Sequence, residues 1–251
     1  DFTDSLFLKN PSPEKVKSIS EWARNQLEVD LEIDKTYRYV VFSDLKKNYL
    51  GVLEDGTVDV KGLTGKKSHT PPFIRKAFYR ILEILKEVNS EKDFEKAKEK
   101  IREIIKSYAN NLETGKINPS ELSFNVMVNK SPDRYGEKTN NSKVQSIVDG
   151  KNIDYITYKG LPQHIKAALL LHQSGRKIKA GDIISYVKTK TNDGVKPVEL
   201  IKNITEVDTE KYLEAMESTF DQLLSALNFN FKSILGKERQ SNLDELFWSK
   251  K

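Results

Sequence analysis

The sequence predicts an α+β chain: a small antiparallel sheet with a helix beside it, then a mostly α-helical region, then a flexible C-terminal tail. Three observations lead there. Between residues 31 and 60 apolar side chains recur with a period of two, as in half-buried strands. Over 73–108 and 208–227 they recur at helical spacing. From Gly236 onward no partner element is in view.

Ser5-Leu6-Phe7-Leu8 reads as the end of a strand, closed by Asn10-Pro11. Ser12-Pro13-Glu14 starts a helix, with Ser12 as cap and Pro13 at its first position, and Val16, Ile19, Trp22 and Leu27 give it an apolar face. Tyr37, Tyr39 and Val41 alternate with Arg38 and Val40; the strand Tyr49-Leu50-Gly51-Val52-Leu53 follows, turns at Glu54-Asp55-Gly56 and returns through Thr57-Val58-Asp59-Val60. Pro71-Pro72 ends the sheet and opens a helix carrying Phe73, Ala77, Phe78, Ile81, Leu82 and Leu85. Ser90 with Asp93 caps a second helix bearing Phe94, Ala97, Ile101, Ile104, Ile105 and Tyr108.

Leu122, Phe124, Val126 and Val128 alternate briefly, and the polar segment 136–159 reads as a long surface loop or an extra hairpin. Pro162 opens a helix with Ile165, Ala168, Leu169 and Leu171, closed by Gly175. Residues 183–187 read as a strand. A long helix over 208–227 carries Tyr212, Leu213, Met216, Phe220, Leu223 and Leu224.

The 251 residues suffice for one large domain or two small ones. No apolar run is long enough to cross a bilayer, and the first residues lack a basic-then-apolar signal pattern, so a cytoplasmic location is expected. Cys is absent, which rules out disulfides, Cys-ligated zinc and thiol catalysis. His69, His164 and His172 are too few and too scattered for a zinc site. The surplus of 42 Lys and Arg over 37 Asp and Glu is mild, and its distribution says more: Lys46, Lys47, Lys61, Lys66 and Lys67 cluster in the strand-rich region, whereas residues 91–106 alternate in sign like a solvated helix face.

Four constellations could carry chemistry. In Lys46-Lys47-Asn48-Tyr49-Leu50-Gly51, two cations can neutralise phosphates, the Tyr hydroxyl can donate a hydrogen bond, and Gly51 permits close approach of a phosphate backbone. The alternative is a solvated edge strand that uses Lys to discourage aggregation. Lys61-Gly62 and Gly65-Lys66-Lys67 add a second basic cluster close to the first. In Asp1-Phe2-Thr3-Asp4-Ser5, acidic residues at a strand end can bind Mg²⁺ or simply be solvated. In residues 240–247, Gln240, Leu243, Leu246 and Phe247 can form one helical turn with an apolar plug and a polar anchor, or else a terminal helix docked on its own domain.

Together and in this order, these segments resemble the C-terminal part of archaeal family B DNA polymerases, and the resemblance covers nearly the whole chain. Thr3-Asp4-Ser5-Leu6-Phe7 resembles the end of the Asp-Thr-Asp-Ser motif, whose Asp residues bind the catalytic metals. Lys46-Lys47-Asn48-Tyr49 with Gly51 is similar to the Lys-x-Tyr motif at the primer end, and Lys61, Lys66 and Lys67 to the basic stretch on the duplex backbone. Leu161-Pro162-Gln163-His164-Ile165-Lys166-Ala167-Ala168 and Gly181-Asp182-Ile183-Ile184-Ser185-Tyr186-Val187 are similar to two thumb signatures, and the segment from Gln240 to Phe247 resembles the clamp-interacting box. Phe2 stands where the motif has its first Asp, so Asp4 is the carboxylate carried over; residues 136–159 are longer than the usual link into the thumb helix.

The resemblance implies palm over 1–75, thumb over 76–236 with an insertion at about 136–159, and a clamp-binding tail over 237–251. It implies a DNA-directed DNA polymerase that uses Mg²⁺ and is inactive as this chain alone. Asp4 would bind metal; Lys47, Tyr49 and Gly51 would meet the primer terminus; Lys46, Lys61, Lys66 and Lys67 would hold the duplex; Gln240, Leu243, Leu246 and Phe247 would bind the sliding clamp. The expected partners are primer–template DNA, the large N-terminal polymerase part and the clamp, with no membrane. A non-catalytic adaptor for duplex DNA and clamp is the alternative.

Overall fold

The computed structural model describes residues 6–42, 47–62, 65, 69–130, 160–227 and 229–236. Helix α1 (Pro13–Leu27) begins as expected: Ser12 is extended and accepts a hydrogen bond from the Lys15 amide at 3.3 Å, and Pro13 occupies the first turn, where its missing N–H costs nothing. The helix ends at Glu28, which takes a left-handed conformation (φ 56°). Its expected apolar face is largely uncovered. Val16 and Ile19 are half-buried, while Trp22 and Leu27 are more than half exposed, and Ala23 is the one buried residue. The strand end expected at 5–8 is absent over residues 6–8, where no partner strand is available among the described residues.

Strands β1 (Tyr37–Phe42), β2 (Tyr49–Leu53) and β3 (Val58–Lys61) form an antiparallel sheet in the order β1-β2-β3. Gly56 closes the β2–β3 turn at φ 84°, and the Asp55 carboxylate accepts from the Thr57 amide at 2.7 Å. The pairing runs Phe42 with Tyr49, Val41 with Leu50 and Val40 with Gly51, but slips between Tyr37 and Tyr39. That bulge overturns the expected alternation. Tyr39 and Val41 face inward, whereas Tyr37 pairs with Leu53 and so joins the opposite face, because one extra residue in a strand inverts its side-chain parity.

The inner face, with Val41, Leu50, Val52 and Val60, packs on helix α2 (Pro72–Lys86), which buries Phe73, Ile74, Ala77, Phe78, Ile81, Leu82 and Leu85. Helix α3 (Glu91–Glu113), capped by Ser90 on the Asp93 amide, lays Ala97, Ile101, Ile105, Ala109 and Leu112 along its buried face, most of them on the same core. The Tyr39 hydroxyl donates to the Leu85 carbonyl, and its ring meets Phe94 edge-on at 6.4 Å, so one side chain ties β1 to both helices.

The region expected to be mostly helical contains a second antiparallel sheet: β4 (Phe124–Met127), β5 (Ile183–Lys188) and β6 (Val195–Pro197), in that order. Helix α4 (Gln163–Gln173) covers it through Ile165, Ala168, Leu169 and Leu171, forming a separate core with Val128, Ile184, Tyr186 and Val195. Helix α5 (Thr209–Leu224) returns to the first core through Tyr212, Met216, Phe220, Leu223 and Leu224. The short helix α6 (Phe231–Leu235) is held to it by the Asp221 carboxylate, which accepts from the Phe231 amide at 2.7 Å. The expected division at 75/76 falls inside α2, and the first core runs continuously across it. Among the described residues no helix is long and apolar enough to cross a membrane.

Tyr212 joins the two sheets' surroundings. Its buried hydroxyl donates to the Leu122 carbonyl at 2.6 Å and accepts from the Lys188 amide at 3.0 Å, while its ring lies 5.9 Å from that of Phe124, which touches both cores. Tyr212→Phe keeps the ring and strands both backbone groups. We expect destabilisation by about 1–3 kcal/mol in denaturant unfolding; a change below about 0.5 kcal/mol would mean that water replaces the hydroxyl.

Candidate nucleic-acid interface

On the outer face of the first sheet, aromatic and charged side chains gather. Across the three strands it presents Phe42, Tyr49 and Lys61 in one row and Val40, Gly51 and Asp59 in the next, with Tyr37 brought over by the bulge. Phe7, from the segment before α1, lies across this face. Its ring is 5.0 Å from Phe42, 5.3 Å from Tyr49 and 6.1 Å from Tyr37, the first two edge-on. Phe7 is 44% exposed and Phe42 51% exposed, so the cluster is open to solvent on its far side.

Lys47 and Lys61 stand at one end of this face. Lys47 takes a left-handed conformation (φ 60°) just before β2, and Gly62 takes another (φ 69°) just after β3. The two segments touch there: a Cβ on Gly62 would overlap the Lys47 carbonyl oxygen and the Asn48 side chain. Because Tyr49 and Lys61 are paired residues, the two basic segments converge beside Tyr49. Gly65 is buried against Phe78 of α2, where a Cβ would overlap the ring.

The polar half of the face is a hydrogen-bonded group. Tyr37 Oη and Lys35 Nζ both donate to Asp59 Oδ2 at 2.8 Å. Burial acts to raise the Asp59 carboxyl, but the hydrogen bonds from Lys35 and Tyr37 and the nearby Lys61 charge outweigh it and hold it below the usual carboxylate range. Burial pushes the Tyr37 hydroxyl well above the ordinary tyrosine range, reinforced by its hydrogen bond to Asp59 and by the nearby Tyr49 hydroxyl. Asp59 is therefore a committed anion.

Of the residues singled out in the sequence, Lys47, Tyr49, Gly51 and Lys61 come together here. Gly51 has a packing reason for lacking a side chain that the sequence did not reveal: a Cβ there would overlap two ring carbons of Tyr37. Asp4, Lys46, Lys66, Lys67, Gln240, Leu243, Leu246 and Phe247, with the segment 136–159, lie outside the described residues. Among the described residues no group of three or more His, Asp or Glu side chains could hold a metal ion. Sequence reasoning missed Phe7, Lys35, Tyr37 and Asp59 as parts of this face. The bulge decides Tyr37, and no composition signal marks a bulge. The two segments similar to thumb signatures do meet, as α4 and β5 share the second core.

The sequence profile of a family described as DNA polymerase family B matches residues 3–234. DNA polymerase 1 of Saccharolobus solfataricus is 42% identical over 232 residues, covering 92% of this chain and 24% of that protein. DNA polymerase 1 of Sulfolobus acidocaldarius is 38% identical over 99% of this chain and 26% of its own length, and DNA polymerase 1 of Aeropyrum pernix 33% over 96% and 23%. The chain thus spans about a quarter of the length of the curated relatives it matches. Among solved structures, the family B DNA polymerase from the hyperthermophilic archaeon Pyrobaculum calidifontis has the same fold over 86% of this chain and 24% of that one, with a TM-score of 0.53 at 20% identity.

Proposed function

Given that this chain belongs to DNA polymerase family B, we propose that it forms the C-terminal palm-and-thumb part of a DNA-directed DNA polymerase. It grips the primer–template duplex while the large N-terminal part completes the Mg²⁺-dependent site. The observation that carries this reading is the convergence of Lys47, Tyr49 and Lys61 at one end of an open aromatic face. Cations there neutralise backbone phosphates without regard to sequence, which is what a polymerase requires of its duplex grip. Lys47 and Tyr49, with Gly51, meet the primer terminus, and Lys46, Lys61, Lys66 and Lys67 follow the duplex backbone.

Asp4 contributes a carboxylate to the metal site, and the remaining ligands come from the large part. Mg²⁺ held there by Asp4 and by ligands from the large part would supply activation of the primer 3′-hydroxyl and charge stabilisation for the leaving pyrophosphate. The uncovered side chains Trp22, Leu27, Val29 and Ile33 on and after α1 support a further polymerase part packing there. In this assignment residues 1–75 belong to the palm and 76–236 to the thumb. The segment 237–251 is a tail that tethers the enzyme to a sliding clamp through Gln240, Leu243, Leu246 and Phe247. The working location is the cytoplasm.

Replacing Lys47 and Lys61 with Ala should weaken binding to every duplex sequence alike. The slope of log affinity against log salt should fall by roughly 1 for each phosphate that is no longer neutralised. An unchanged slope would mean that both side chains face solvent when DNA is bound. Leu246→Ala with Phe247→Ala should abolish clamp binding in a pull-down and leave the melting temperature where it was; a clear drop in melting temperature would make the tail part of the core.

A further inference from the structure

Tyr49 has a neighbour on the outer face that the grip on DNA does not by itself explain. Tyr37 reaches that face only because β1 slips by a residue, and its ring fits only because β2 has Gly51 at the facing position. Asp59 is the β3 partner of Gly51, so the carboxylate that receives the Tyr37 hydroxyl comes from the adjoining strand of the same row. Lys35 holds the same carboxylate oxygen from the other side at 2.8 Å, and the Asp59 side chain is only 14% exposed. The Tyr37 and Tyr49 rings meet edge-on at 6.5 Å and 86°. With Phe7 and Phe42 also against it at 5.3 and 6.1 Å, Tyr49 is hemmed in by three rings, and the Asp59 group fixes the one nearest Gly51.

We propose that Tyr37 and Asp59 are positioning residues for Tyr49: Asp59 fixes Tyr37 over Gly51, and the Tyr37 ring in turn holds the Tyr49 ring, and so its hydroxyl, where the primer terminus arrives. The assignment rests on the proposed contact of Tyr49 with that terminus. A side chain held in one orientation before binding gives up less rotational freedom when the ligand arrives, so the gain appears as affinity for the feature it meets. Phosphate contacts along the duplex, made by Lys47 and Lys61, do not depend on this arrangement.

The test compares two DNA probes: a primer–template with a recessed 3′ end, and a blunt duplex of equal length. Binding to the full chain is measured by fluorescence anisotropy at fixed salt. Wild type should prefer the recessed end, and Tyr49→Phe should reduce that preference. Tyr37→Phe and Asp59→Ala should each reduce it by about 2- to 10-fold, the range set by one hydrogen bond, read as the ratio of the two affinities so that any charge effect common to both probes cancels. The double variant Tyr37→Phe/Tyr49→Phe should show no weaker a preference than Tyr49→Phe alone, because the two act on one interaction.

If wild type shows no preference, or Tyr49→Phe leaves it intact, the primer-terminus role of Tyr49 fails, and the positioning role with it. If Tyr49→Phe lowers it while Tyr37→Phe and Asp59→Ala do not, only the positioning role is overturned. Equal weakening on both probes would make Tyr37 and Asp59 merely structural. Tyr37→Phe retains the ring over Gly51, so it remains informative should Asp59→Ala fail to fold.

Discussion

The slip in β1 between Tyr37 and Tyr39 decides what each side of the first sheet is for. Without it, both tyrosines would share a face, and one face would be overfilled while the other lacked its ring. With it, Tyr39 reaches down to Leu85 and Phe94 and fastens the sheet to α2 and α3. Tyr37 lies across Gly51 on the outside, bonded to Asp59. A small sheet is stable only where one apolar face is buried, here against a helix. The bulge lets it take that support below while keeping a rigid aromatic surface above.

The rest of the molecule supports that sheet through one continuous apolar core. Side chains from β1–β3, α2, α3, α5 and α6 all enter it. The second sheet and α4 form their own core, joined to the first through β5, whose Val187 enters the first core and whose Lys188 carbonyl accepts from the Asp208 amide at 3.0 Å; Phe124 touches both cores, stacks on Tyr186 and packs against Tyr212, and the Tyr212 hydroxyl ties the chain at Leu122 to Lys188.

Much of this was legible in the sequence, for reasons of period and capping. The faces of α2 and α3 follow from the spacing of Phe73 to Leu85 and Phe94 to Tyr108. Ser12, Ser90 and Asp208 mark helix starts because their side chains accept from amides that the helix leaves free. The strand β6 and the helix α6 went unread, having only three and five residues, too few to establish a period. Trp22 and Leu27 look like core by spacing, yet nothing among the described residues covers them. At the candidate site, the basic pairs and Tyr49 stood out by composition and by resemblance. The group around Asp59 did not, because it is assembled by register across strands and by a bulge that local sequence does not announce.

Under the proposed reading, the chain would hold primer–template DNA through the outer face of its first sheet and would extend a primer only together with the large N-terminal part. The most direct measurement replaces the matched quarter of Saccharolobus solfataricus DNA polymerase 1 with this chain and follows primer extension by the chimera and by the chain alone. The chimera should extend the primer, with a raised KM for primer–template when Tyr49 is replaced by Ala in it, and the isolated chain should not. Extension by the chain alone, or a chimera whose KM ignores Tyr49, would overturn this picture.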